Sequence, residues 1–206
     1  MKSRIEKYEL ILKATARGKF FFNSEEVTEQ FDRGCDHVHR LLRDAYSLYS
    51  SESYATSTFL SITSIEEIAK LEVAVYRNTK NTSHTERRGD LLFDHKSKHR
   101  IALRETITLG SRLSKAIGKA AINHYMDMAD SGGLLKLRES ALYINNENNI
   151  FTCPSDCIQE KTSREILLLA LEIWDDSLVG MTNHSYEIDS ELVLLFDNIV
   201  ANGVSK

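Results

Sequence analysis

The chain has 206 residues, of which 42% are apolar and 27% charged, ordinary values for a globular protein. Its 26 basic and 30 acidic residues give a net charge of -4, which excludes a uniformly basic nucleic-acid coat but leaves room for a local basic groove. A single proline and nine glycines leave few helix breakers, so an all-α helical bundle is expected. No apolar run approaches the roughly 18 residues of a membrane span, and the charged start from Lys2 has no apolar signal core, so no membrane partner and a cytoplasmic location are expected. Three cysteines, an odd number, fit a reducing compartment.

In chain order, residues 3–16 read as a short helix with Ile5, Tyr8, Ile11 and Leu12 on one side, ended by Gly18; Phe20, Phe21 and Phe22 then need burial. Asn23 or Ser24 caps the next helix, with Glu26 three residues after Asn23 as in a capping box. Val27, Phe31, Cys35, Val38, Leu41, Leu42, Ala45 and Leu48 form one buried stripe over about seven turns. A polar break at 50–53 leads into a second long helix over 53–77, antiparallel to the first because the break is short. Residues 78–89 read as a polar loop. A third helix starts between Asp90 and Asp94, runs towards Leu113 and continues past Gly118 to Met128 with a bend.

Ser131-Gly132-Gly133 stops it, and residues 134–161 read as a non-helical insertion. There Ala141-Leu142-Tyr143-Ile144 and Ile150-Phe151-Thr152 flank an Asn-rich turn, the pattern of a small hairpin or ordered loop packed on the bundle. Thr162 with Glu165 makes a capping box before a fourth helix with Ile166, Leu169, Ala170 and Ile173, ending near Gly180; a short helix over 190–200 closes the chain, with Gly203 beyond it. Residues 1–206 are read as one domain, with 1–22 as an N-terminal extension. The second and third helices carry more apolar surface than one stripe requires, which a two-fold interface would cover.

Two stretches carry polar side chains where apolar ones dominate. On the second long helix Thr63, Glu66, Glu67 and Lys70 fall within an arc of roughly 100°. Ile62, Ala69 and Val73 flank it on one side, Leu60 and Leu71 on the other. Glu66 and Lys70 have the i,i+4 spacing of an ion pair. The strip is either exposed with a weak salt bridge, or it lines a cleft and positions a reactive group. On the third helix His95 and His99 share the face that continues through Ala102, Leu103, Thr106, Leu109 and Leu113, so both point inward or towards a partner subunit. Lys96, Lys98 and Arg100 lie around them. They are either hydrogen-bonded core-edge histidines beside a solvated basic face, or an acid–base and phosphate site.

Lys96 stands where a His-Glu-x-x-His metal site needs its glutamate, and the neighbouring ammonium groups repel a cation, so no metal is expected. Cys153 and Cys157 with Cys35 do not make a zinc site at these spacings. No Gly-rich phosphate loop and no Glu-x-x-His pair occurs, and no cofactor is expected.

Ser53-Tyr54-Ala55-Thr56-Ser57 leading into Leu60-Ser61-Ile62-Thr63-Ser64-Ile65-Glu66-Glu67-Ile68-Ala69-Lys70, then Asp94-His95-Lys96-Ser97-Lys98, then Ala141-Leu142-Tyr143-Ile144 with Pro154 after it, resembles the AbiV family of abortive-infection proteins, within the HEPN superfamily. The likeness runs from about residue 25 to 180, and the blocks from Ile65 to Lys70 and from Asp94 to His99 are its most specific parts. The resemblance implies a HEPN-type bundle that dimerises, in a cytoplasmic bacterial protein that blocks phage multiplication by stopping translation. Many HEPN proteins are metal-independent RNases whose signature is an arginine, four to six intervening residues, then a histidine, with two copies forming one cleft.

Arg88 to His95 and Arg77 to His84 match that signature with six intervening residues, and Arg33 to His39 with five. His95 opens a helix among basic residues inside the family-like block, whereas His84 sits in a polar loop and His39 beside a buried stripe without polar anchors. Arg88, His95, Lys98 and His99 are therefore the expected catalytic residues, supported by Glu66, Glu67, Lys70 and Lys96. RNA would be the substrate, with a phage-encoded protein as activator or inhibitor. The alternatives are a non-catalytic protein that binds a phage or host translation component, and, last, a nucleotide-binding module.

Overall fold

The computed structural model describes residues 4–16, 22, 25–77, 89–103, 111–147 and 149–203. Its helices are α1 (Arg4–Ala16), α2 (Val27–Ser50), α3 (Tyr54–Tyr76), α4 (His95–Ala102), α5 (Arg112–Ile117), α6 (Lys119–Ser131), α7 (Gly133–Ser140), α8 (Pro154–Cys157), α9 (Glu160–Leu178) and α10 (Asn183–Gly203). A single 3-10 turn at Leu91–Phe93 and a two-stranded antiparallel hairpin, β1 (Asn145–Glu147) with β2 (Ile150–Thr152), complete the described elements. Among the described residues no helix is long and apolar enough to cross a membrane.

The α2–α3 pair is the frame. Ser57 Oγ donates to Ala45 O near the turn, and Gly34 faces Leu71 far from it, so the helices run antiparallel as their spacing predicts. α2 buries one stripe, Phe31, Cys35, Val38, Leu42 and Ala45. α3 is buried on nearly every side, and its Ser61 and Ser64 hydroxyls bond back to carbonyls one turn earlier, which satisfies these two hydroxyls inside the bundle. α9 is the second interior helix; its residues from Glu165 to Trp174 are all buried, against α3, α2 and α10. Trp174, Phe31 and Phe196 are the largest fully buried side chains. The extra apolar surface of α3 is thus covered within the chain by α2, α9 and α4.

Several boundaries differ from the sequence reading. α2 begins at Val27 with Glu26 at its N-cap and no side-chain cap bond; Asn23 and Ser24, and the Gly18 stop, lie outside the described residues. The third helix is divided: α4 ends at Ala102, and Gly118, at φ +84°, separates α5 from α6. Gly132, at φ +88°, caps α6 in the left-handed region that glycine adopts without a Cβ penalty. The chain then turns straight into α7, so the first part of the supposed insertion is helical; Leu134 is buried and Leu137 packs against the core. Ile150-Phe151-Thr152 is the second hairpin strand, as expected, but its partner is Asn145–Glu147 of the Asn-rich stretch, paired Asn145–Thr152 to Glu147–Ile150, and not Ala141 to Ile144. Thr162 lies inside α9, whose N-cap is Gln159, and α10 is longer than the predicted last helix.

Candidate functional site: a buried carboxylate with four basic partners

The site is built by α3, α4 and α7. Asp94 caps α4, its carboxylate accepting from Ser97 N at 2.7 Å, and so fixes where the helix begins. His95, Lys98 and His99 follow at the i, i+3, i+4 spacing that puts three side chains on one helix face. That face meets Glu66 of α3, whose side chain is 2% exposed. His95 Nδ1 lies 2.6 Å from Glu66 Oε2, and Lys98 Nζ donates to the same oxygen at 2.8 Å. His99 Nε2 lies 3.0 Å from Oε1, and Arg138 Nε of α7 approaches that oxygen at 3.7 Å, an ion pair too long for a hydrogen bond. Each carboxylate oxygen therefore faces one histidine and one permanent cation.

Burial by itself would raise the Glu66 pKa, but the hydrogen bonds from His99 and Lys98, with their charges, more than offset it and hold the carboxyl at about 2. An ionised carboxylate only accepts, so the ring nitrogens facing it carry protons. In neutral His95 this places the lone pair on Nε2, on a side chain that is 42% exposed, while Lys98 beside it is only 6% exposed. His99 is wholly buried, and its Nδ1 has no hydrogen-bond partner among the described residues. One carboxylate facing Lys98, Arg138 and two histidines leaves an excess of positive charge, an arrangement that favours an anion over a cation.

The expected residues divide accordingly. Glu66, His95, Lys98 and His99 come together. Arg88 lies outside the described residues, as does His84. The predicted Glu66–Lys70 pair does not form: Glu66 turns inward to α4, and Lys70 Nζ instead meets both Glu67 oxygens at 2.7 Å. Lys96 is exposed, its stem passing beside Gly132, apart from the carboxylate. The other signature matches have different employment. His39 Nε2 pairs with Glu191 at 3.0 Å, and Arg77 is buried against Asp90, its Nη1 donating to Asp90 Oδ2 at 2.8 Å. Thr106 and Leu109 lie outside the described residues. Arg138 is the member that sequence reasoning missed; Leu134, four residues before it on a buried face, is the helical signal that could have found it.

Fold and site together define a helical bundle whose polar centre is a buried glutamate gathered to a capped His-x-x-Lys-His turn. The HEPN_AbiV family model, described as AbiV, matches residues 26–175, which include every helix that builds this centre. The chain belongs to the AbiV family of the HEPN superfamily and is an abortive-infection protein of the HEPN type. Neither the curated proteins nor the solved structures compared with the chain gave a match.

Proposed function

We propose that this protein is a metal-independent endoribonuclease that acts as a dimer and arrests translation during phage infection. The observation that carries the reading is the hydrogen bond between His95 Nδ1 and the buried Glu66, which orients a half-exposed imidazole and leaves Nε2 as its basic nitrogen. RNA supplies its own nucleophile. His95 Nε2 takes the proton of a ribose 2′-hydroxyl, the 2′-oxygen attacks the adjacent phosphorus, and the 5′-oxygen leaves with a proton from water. The products are a 2′,3′-cyclic phosphate and a 5′-hydroxyl, and no metal is required for the balance.

Glu66 is a positioning residue in this scheme. Lys98 and His99, buried on its oxygens, hold the carboxylate in place. Arg88 is the arginine that the HEPN signature pairs with His95. The test is total-RNA integrity with purified protein in EDTA, wild type beside His95→Ala and Arg88→Ala. Discrete fragments ending in cyclic phosphate, made by wild type and lost in His95→Ala of unchanged helicity, are expected. Intact RNA with wild type refutes the catalytic reading, and full cleavage by a folded His95→Ala refutes the residue assignment.

A second reading, a non-catalytic protein that binds a translation component, is favoured by a different observation. Tyr143, Ile144, Ile150 and Phe151 at the hairpin are 62–65% exposed, large apolar side chains gathered on one projection. It predicts growth arrest without RNA fragments, abolished by Phe151→Ser.

A further inference from the structure

We infer that Arg138 and His95 form a binding site for a phosphate group, with Arg138 supplying the guanidinium that grips it. The inference deepens the proposed ribonuclease reading and rests on it for the biological ligand, but the site itself is argued from geometry. Arg138 stands on the second turn of a helix that no signature includes, and it reaches the same carboxylate as His95 from the opposite oxygen. Its guanidinium is stacked over the Phe59 ring, 4.7 Å from the centroid, which holds the planar fork in a fixed orientation. Phe59 lies two turns before Glu66 on α3, so one helix face sets the position of the ring, the carboxylate and, through them, the arginine.

The charges are unequal in availability. Lys98 is buried and hydrogen-bonded to Glu66, so its ammonium largely neutralises that carboxylate. Arg138 is 21% exposed and stands 3.7 Å from Glu66, with its Nε buried against that carboxylate. Its positive charge and its Nη donors are the ones left to serve a ligand. A phosphate oxygen suits them: guanidinium binds it bidentately and with charge assistance. His95, half-exposed on the same carboxylate, can meet the ligand from the other side.

The test separates the site from the chemistry. Inorganic phosphate is titrated at low ionic strength into full-length protein carrying labelled histidine, and the imidazole resonances are followed by NMR. Saturable phosphate-dependent shifts of the His95 signals are expected for wild type. Arg138→Gln should weaken phosphate binding by about tenfold or more, the loss of one charged hydrogen-bonding partner. Arg138→Lys, which keeps the charge without the fork, should bind between the two and guards against a Gln variant that fails to fold.

No saturable shift with wild type in millimolar phosphate overturns the inference. So does unchanged binding by a folded Arg138→Gln. Phosphate binding that depends on Arg138, together with RNA left intact by wild type, sustains the site while removing the ribonuclease reading. Cleavage that survives in Arg138→Gln with phosphate binding unchanged removes the site while leaving that reading.

Discussion

Glu66→Gln keeps the shape of the side chain at the centre of the bundle and removes its charge. Lys98, 6% exposed, then faces a neutral amide, and Arg138 loses its counter-ion. Breaking a buried pair from one side costs about 3–5 kcal/mol, because the remaining charge stays buried without compensation. The depressed pKa of Glu66 leads to a figure of the same order. Glu66 titrates at about 2 against an ordinary 4.5, and at about 1.4 kcal/mol per tenfold this is worth about 3 kcal/mol. A carboxylate with a depressed pKa contributes stability above its unfolded value, and the contribution is lost as the pH falls through the folded one.

The difference in unfolding free energy between wild type and Glu66→Gln should therefore be about 3 kcal/mol at neutral pH, begin to shrink below 4.5 and nearly vanish at about 2. Urea denaturation with an unchanged slope reads it directly. Adding Lys98→Met to Glu66→Gln should return part of the loss, since it removes the charge left unpaired. A neutral-pH difference below about 1 kcal/mol, or one independent of pH, would refute the view of Glu66 as an ionised hub.

Three further outcomes follow from other parts of the fold. Asp90→Ala removes the buried counter-ion of the Arg77 guanidinium and should cost about 3–5 kcal/mol in thermal or urea unfolding. It should also speed amide exchange near the end of α1, because Arg77 Nε bonds Ala14 O. Gly34→Val forces a Cβ into Leu71 Cδ2 between α2 and α3 and should lower stability by about 1–3 kcal/mol, read as a shifted denaturation midpoint. His184 has its pKa raised by the hydrogen bond from its ring to Asp36, so Asp36→Asn should bring the NMR-titrated value down towards 6.5. The small stability this pair adds is present below 6.5 and is lost as pH rises through the raised pKa; a value unmoved by the substitution would disprove the pairing.

Much of the frame was legible because it depends on periodicity over long stretches. The stripe of α2 and the length of α3 follow from apolar spacing and from the absence of proline. The centre of the site was only half legible. A strip holding Glu66, Glu67 and Lys70 can be solvated or buried, and local spacing favours a Glu66–Lys70 pair. The partners that decide the matter lie 29, 32 and 33 residues further on, a distance no helical rule spans. Arg138 was lost with α7, since Gly132-Gly133 reads as a stop and the leucines after it belong to too short a run to announce a helix. The second hairpin strand, Ile150 to Thr152, was found, but the first was placed too early, because apolar Ala141 to Ile144 were taken for it while Asn145 to Glu147 form that side of the ladder.

The Arg77–Asp90 pair has a consequence for how this chain can change. The two residues are 13 apart, both buried, and fastened to each other and to α1. Their pairing ties the end of α3 to the start of the 3-10 turn at one fixed point. Closing a loop costs only about 0.6 kcal/mol more for each doubling of its length. Insertions and deletions between Arg77 and Arg88 therefore leave Asp94 and the turn it starts in place, and keep the spacing from Arg88 to His95. The stretch from Asp94 to His99, by contrast, cannot gain or lose a residue without rotating its histidines away from Glu66. A buried clasp of this kind divides a gene into a segment open to experiment and a segment locked in register.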